Sequence, residues 1–397
     1  MSANLPLSAE ICFEEPAHPA LRLSVIIPAK DEADFITTTL DALRMQVDKY
    51  ENDIPDNTYE VLVLTNNCSD DTFEICQCYQ AKYPHFRLFI QNVVLAPSIA
   101  HIGTVRRLLM DAAYKRLSFI AGYRGIIVST DADSEVDSQW IYHIISEMDK
   151  GVDVVGGRIL PRATPILSRI HHLRDVAYRF LRTRLEAELD PCQSNPWPRH
   201  FQCYGPSLAV TCDIYDRAGR LPAIPYLEDE EFRKALKRID AKIRHAPNVR
   251  IYTSSRLVGR VDFGFSVQLQ QWTNMSLNKE QQMVESLQSV YLQLGLKHDL
   301  RKLWLAIIAG RDVLLEINAL AFKLQCDGEE LYMMLTTSAY FESLWEKIEL
   351  QLVQLQPSFV SLQPISVAIE DFRAYFSKRT TTKPSALINA IIPVDLI

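Results

Sequence analysis

Gly125-Ile126-Ile127-Val128-Ser129-Thr130-Asp131-Ala132-Asp133-Ser134 is the stretch that decides the fold. Ile126 to Val128 are apolar without the alternation of a half-exposed strand, so this run predicts a strand covered on both faces, as in a parallel sheet. Such a sheet collects its ligands at the carboxyl ends of its strands. There the chain presents two carboxylates one residue apart. They are hard oxygen donors that hold one side of a Mg2+ or Mn2+ ion and leave the other side for water and a substrate phosphate. Aspartates also populate turns and helix caps, so the pair gains its weight from its place after a buried strand.

The pattern extends in both directions. Leu23 to Pro28, Val61 to Leu64, Arg87 to Ile90 and Val152 to Val155 are further strand-length runs. Between them lie helix-period segments: Ile36, Leu40 and Leu43 behind a cap at Asp31 or Asp34, then Phe73, Cys76 and Tyr79 behind Asp71, then Gly103 to Arg116 and Asp137 to Lys150. Strands alternating with helices predict an α/β domain over residues 21–264, a mostly parallel sheet flanked by helices. Residues 1–20 are an acidic tail without the basic start and apolar run of a signal peptide. From residue 265 to 397 the period becomes helical throughout. Met283, Leu287, Tyr291 and Leu294 share a face ending at Gly295, Leu300 to Ile317 form a longer one ending near Gly328, and Phe341, Leu344, Trp345, Ile348 and Leu352 form a third before Pro357. This predicts an all-helical C-terminal module whose aromatic residues belong to its core.

Composition bounds the function. With 397 residues, 48 % apolar and 23 % charged, the chain is ordinary globular material, expected to be soluble. Its 42 basic and 49 acidic residues sum to −7 with no long basic stripe, which argues against a non-specific binder of nucleic acid or anionic membrane. No apolar run approaches the ~18 residues of a transmembrane helix. Eight cysteines without a C-x-x-C pair predict reduced thiols in a cytoplasmic protein rather than disulfides or a zinc site. Glycine is scarce, 13 in all. The turn after the first strand, Pro28-Ala29-Lys30-Asp31-Glu32, contains none, so neither a G-x-G-x-x-G turn nor a P-loop is present and phosphate must be held by other means.

Five features follow one another in order: P-x-x-x-E at Pro28 to Glu32, N-N-C-S-D-D-T at Asn66 to Thr72, G-x-x-R-R at Gly103 to Arg107, D-A-D at Asp131 to Asp133, and E-D-x-x-F at Glu228 to Phe232. The set resembles the family 2 glycosyltransferases of the GT-A fold, in a cytoplasmic bacterial branch suggested by Tyr252 to Arg256 with Gly259 and Arg260. The likeness covers roughly Leu21 to Gly264 and leaves out the helical module. It implies a nucleotide-diphospho-sugar transferase fold, a UDP- or GDP-sugar donor, a hydroxyl acceptor and a Mg2+ or Mn2+ cofactor.

The resemblance also implies roles. Pro28, Ala29 and Glu32 match the loop facing the nucleoside. Asn66 and Asn67 stand where the family commonly carries acidic residues for base and ribose, and an amide offers donors as well as acceptors there. Arg106 matches a basic residue beside the donor, able to pair with phosphate or stack on the base. Asp133 is the first choice for the metal, with Asp131 as second ligand or ribose contact. Asp229 matches the general base that takes the acceptor proton, with Glu228 its neighbour, although the four acidic residues from 228 also suit the first turn of a helix. Gly157 and Arg256 line up near the donor, and Gly205, Ser207 and His200 near the acceptor.

The expected activity is therefore metal-dependent transfer of a hexose to a hydroxyl, with inversion. A retaining GT-A enzyme making a small glycoside, such as a glycosyl-glycerate type product, shares the D-x-D without needing Asp229. A nucleotidyltransferase would need a Gly-rich basic loop after Ile27, which is absent. A catalytically inactive nucleotide-sugar-binding scaffold would not need Asp131, Asp133 and Asp229 together. The helical module leaves homo-oligomerisation open.

Overall fold

The computed structural model describes residues 10–162, 165–254, 264–324, 326–355 and 359–379. Its strands are β1 (Leu23–Ala29), β2 (Tyr59–Asn66), β3 (Leu88–Val93), β4 (Ile126–Ser129), β5 (Ser134–Val136), β6 (Val154–Pro161), β7 (Leu208–Thr211), β8 (Ile243–Thr253), β9 (Met283–Glu285) and β10 (Leu362–Pro364). The helices that follow β1 to β8 are α1 (Ile36–Arg44), α2 (Thr72–Lys82), α3 (Ile102–Ile120), α4 (Trp140–Met148), α5 (Ile166–Leu189), α6 (Cys212–Arg217), α7 (Glu228–Arg238) and α8 (Phe265–Asn278). The chain continues through α9 (Leu287–Ile308), α10 (Leu314–Leu324), α11 (Gly328–Thr337), α12 (Phe341–Leu355) and α13 (Ile365–Arg379).

Two compact units result. The first comprises residues 1–163, 202–236 and 241–267, and holds an eight-stranded sheet of order β3-β2-β1-β4-β7-β6-β8-β5. β1 to β4 pair in parallel, as their apolar runs predict, and β6 pairs in parallel with β8. The sheet is mixed, because β7 runs antiparallel to both β4 and β6, and β5 antiparallel to β8. Val25, Ile26, Ile27, Val61 to Leu64, Ile127 and Val128 are fully buried, each worth roughly 1.5–3 kcal/mol of transfer free energy. The α1 face of Ile36, Leu40 and Leu43 is buried as its spacing requires. Phe35, not Asp31 or Asp34, occupies the α1 cap position, and no side chain caps that helix.

The antiparallel strands position the site. Ser129 of β4 pairs with Leu208 of β7, so the residues just before β7 arrive at the sheet end where β4 delivers Asp131. Ser134 of β5 pairs with Thr253 of β8, which brings Asp133 beside Ser254. Neither pairing is adjacent in sequence.

The second unit comprises residues 164–201, 237–240 and 268–397. It therefore takes α5 out of the contiguous 21–264 segment expected for the sheet domain. The reason is packing: Tyr178 and Leu185 of α5 join Val290, Ile365, Ala368 and Phe372 in one core. A second core gathers Leu300, Ile317, Leu331, Phe341, Leu344, Trp345 and Leu352. Four expectations for this unit change. Met283 begins a strand paired with β10, α9 passes through Gly295 without ending, the run from Leu300 to Ile317 is broken between Ile308 and Leu314, and Tyr291 is 40 % exposed rather than core. Among the described residues no helix is long and apolar enough to cross a membrane.

A buried ion network ties α9 to α12. Lys297 and Arg301 of α9 pair with Glu342, Arg301 also pairs with Asp190, and Asp240 accepts from the Phe341 and Glu342 amides at the start of α12. Burial opposes the Glu342 charge, yet Lys297, Lys237 and Arg301 hold its pKa down to about 2. A depressed carboxylate stabilises the fold above its unfolded pKa, and this is lost as pH falls from about 4.5 through 2. Glu342→Gln is expected to destabilise the protein by about 3 kcal/mol at pH 7, with the difference vanishing near pH 2, as measured by urea unfolding followed by circular dichroism.

Candidate active site

The site grows around Arg106, on the buried face of α3 and 4 % exposed. Its Nη2 donates to Asp131 Oδ1 at 2.7 Å and its Nη1 pairs with Glu228 Oε1. A guanidinium is suited to this, since its planar fork serves two carboxylates at once while an ammonium is a point charge. Gly205 lies against the same group: a Cβ there would stand 2.5 Å from Arg106 Nη1. The scarce glycine expected to approach a ligand thus makes room for a side chain of the protein itself.

Asp229 opens α7 beside Glu228. Its Oδ2 accepts from the Gly205 amide at 2.8 Å and its Oδ1 from the Glu230 amide at 2.8 Å. Two amide donors fix the carboxylate, and each oxygen retains a second lone pair. Asp131, Glu228 and Asp229 gather around one guanidinium, and Asp133 lies close enough to act on Asp131. Burial raises the Asp131 carboxyl, Arg106 opposes this, and Asp133, Glu228 and Asp229 add to it, leaving its pKa at about 6. Burial likewise raises Glu228 against the pull of Arg106, with Asp229 adding to the rise. Asp133 is bound by the Ser254 hydroxyl.

The first two loops are clasped together. Asp31 Oδ1 accepts from the Ser69 amide and hydroxyl at 2.6 and 3.0 Å, and Asp70 accepts from the Ala33 and Thr72 amides, each at 3.1 Å. The Glu32 amide donates to Thr72 Oγ1, and Cys68 Sγ reaches the Ala29 carbonyl at 3.7 Å. Asp31, Cys68 and Asp70 are the one acidic or thiol group of ion-holding spacing among the described residues, and backbone amides engage both of its carboxylates. The periodicity of the sequence does not reveal this clasp, because the contact of Asp70 with Ala33 spans 37 residues.

Several expected ligand contacts are spent internally. Asn67, at φ 48°, places its amide against the Leu95 backbone, donating to the carbonyl at 3.0 Å and accepting from the amide at 3.1 Å. It ties the ends of β2 and β3 together, and Asn66 is 4 % exposed at the strand end. Ser207 is 1 % exposed and takes the Trp140 indole N–H at 3.3 Å, and the space beside the Gly157 Cα is filled by the Ser207 hydroxyl and Val249. Ser207 and Gly157 thus pack against one another and against Trp140 and Val249. Pro28 and Ala29 end β1 in the buried core. His200 is 1 % exposed in the second unit. Arg256, like Arg260, lies outside the described residues.

The mixed sheet thus brings paired aspartates and a buried arginine to one strand end. Residues 24–197, somewhat under half of the chain, match the family described as glycosyl transferase family 2. The match ends before Gly205, Glu228 and Asp229. Glycosyltransferase AglE of Haloferax volcanii is 27 % identical over 138 residues, 34 % of this chain and 39 % of its own. Probable glycosyltransferase YdaM of Bacillus subtilis is 26 % identical over 251 residues, 62 % of this chain and 52 % of its own. The chain thus spans about half or less of these curated relatives. Among solved structures, S. aureus TarS 1–349 in complex with UDP-GlcNAc is 15 % identical with TM-score 0.43, covering 84 % of this chain and 92 % of its own. Mannosyltransferase PcManGT from Pyrobaculum calidifontis, in complex with GDP-Man and Mn2+, is 15 % identical with TM-score 0.40, covering 98 % of this chain and 87 % of its own.

Glu228→Gln removes one of the two charges that balance a buried guanidinium, so a loss of about 3 kcal/mol in urea-unfolding stability is expected. Gly205→Ala, which pushes a methyl into Arg106, is expected to act in the same direction by about 1–3 kcal/mol.

Proposed function

We propose that the protein transfers a hexose from a nucleotide-diphospho-sugar to an acceptor hydroxyl with inversion, and that Asp229 is the base. The observation that carries this reading is the division of labour between two adjacent carboxylates. Glu228 is buried and committed to Arg106, whereas Asp229 is less buried, held by two amides and keeps open lone pairs. In this reading the acceptor oxygen bonds to the anomeric carbon while its proton passes to Asp229. The carbon–oxygen bond to the diphosphate breaks, and the diphosphate leaves with the electron pair.

Asp133 and Asp131 suit a hard divalent cation. They are oxygen donors in a cluster with more carboxylates than cations. Bound Mg2+ or Mn2+ would supply charge neutralisation for the departing diphosphate. Arg106 holds Asp131 in place for that role, and Ser254 orients Asp133.

Asp229→Asn is expected to lower transfer at least a thousandfold while the affinity for the nucleotide sugar changes only a few-fold, measured by donor turnover and calorimetry. Normal turnover in that variant removes Asp229 as the base. Because the Asp131 carboxyl titrates near 6, it is protonated below that pH and ionised above it. Mn2+ affinity is thus expected to weaken roughly tenfold per unit below pH 6, with proton release on binding at pH 6, seen by calorimetry in buffers of different ionisation heat.

A further inference from the structure

With Ser207 under Trp140 and Gly205 against Arg106, the acceptor needs another approach to the site. The edge of the sheet offers one. A cavity of about 140 Å³ is lined by Asp133, Ser254, Thr38, Phe35, Glu135 and Arg162. A second, open groove of about 690 Å³ shares Glu135 and Arg162 with it and adds Asp137, Ser138, Leu160 and Tyr252. The two therefore adjoin, and lead outward from Asp133 along the edge strand.

Strand alternation builds the groove. Glu135, Tyr252 and Leu160 are cross-strand neighbours on β5, β8 and β6 and so share one face, while the next row, Val136, Ile251 and Ile159, packs into or against the core. Glu135 pairs with Arg162, whose side chain is 53 % exposed. The chemistry of this wall is that of polyol recognition. Carboxylates accept from neighbouring hydroxyls, a guanidinium donates to ring or hydroxyl oxygens, and an aromatic ring covers the apolar C–H face of a sugar. Among the described residues lining the groove, Glu135 and Asp137 outnumber the guanidinium of Arg162, so an anionic acceptor is disfavoured there.

We propose that the groove of Glu135, Asp137, Arg162 and Tyr252 is the acceptor subsite, and that it takes a neutral carbohydrate rather than a phosphorylated or carboxylated small molecule. This rests on the transferase reading above and assigns the acceptor side of the same site.

The test separates the two. Binding of p-nitrophenyl β-glucoside, β-galactoside, β-N-acetylglucosaminide and β-glucuronide is followed by saturation-transfer NMR and calorimetry on the full chain without donor. At least one neutral glycoside is expected to bind more tightly than the glucuronide. Its affinity is expected to fall at least tenfold in Tyr252→Leu, which keeps an apolar side chain in the strand, and in Ser138→Trp, which fills the groove from an exposed position. No neutral glycoside bound, stronger binding of the glucuronide, or unchanged affinity in both variants overturns the subsite. Donor hydrolysis by the wild type with Mn2+ is read independently. Its absence overturns the transferase reading even where glycosides bind, and its presence with no glycoside bound overturns the subsite alone.

Discussion

A single buried guanidinium organises the catalytic end of the sheet domain. Arg106 is brought in by α3, which packs on β1 and β4, and its charge is balanced by carboxylates from the β4 end and from the start of α7. Removing such a charge from water is costly unless it is paired and fully bonded. The loop before β7 must therefore carry glycine at 205, α7 must begin with a carboxylate, and Asp131 must turn toward the helix. The same constraint leaves Asp229 at the mouth of the cluster, fixed by the amide of the glycine that Arg106 demands. Stability and chemistry are thus coupled through one side chain.

Around that centre the two halves of the sheet divide the work. The parallel half supplies the clasped loops after β1 and β2, where Asp31 accepts from the Ser69 amide and Asp70 from the Ala33 amide. Polar side chains that look available for a nucleotide are here used to hold loop geometry, and Asn67 does the same for the β2–β3 crossover. The antiparallel half supplies what the parallel half lacks, a sheet edge with open, mixed-polarity walls next to Asp133.

Much of this was legible in the chain. The apolar runs that became β1, β2, β3, β4 and the start of β6 showed themselves because strands buried on both faces need continuous apolar side chains. Asp131 and Asp133 were legible from their place after such a run, and Glu228 and Asp229 from their order relative to the other motifs. Less visible were β5, β7 and β8. They are short or carry polar residues facing a groove, and their partners lie from about 50 to nearly 120 residues away. Helix α5 carries an ordinary amphipathic pattern, and that pattern does not say which core receives it. Gly157 and Gly205 are each pressed by protein atoms from segments distant in sequence, which no local pattern reveals.

The sequence by itself determined the alternation of buried strands and helices, the carboxylates at the strand end and the absence of a glycine phosphate cradle, because these follow from local periodicity and residue chemistry. The tertiary structure decided which polar groups remain for ligands. Arg106, Asn67 and Ser207 are spent on partners distant in sequence, and the edge formed by β5, β8 and β6 becomes a groove only when three separate segments pair. Hydrogen-bond satisfaction and burial are properties of the assembled neighbourhood, so no reading of a single segment contains them.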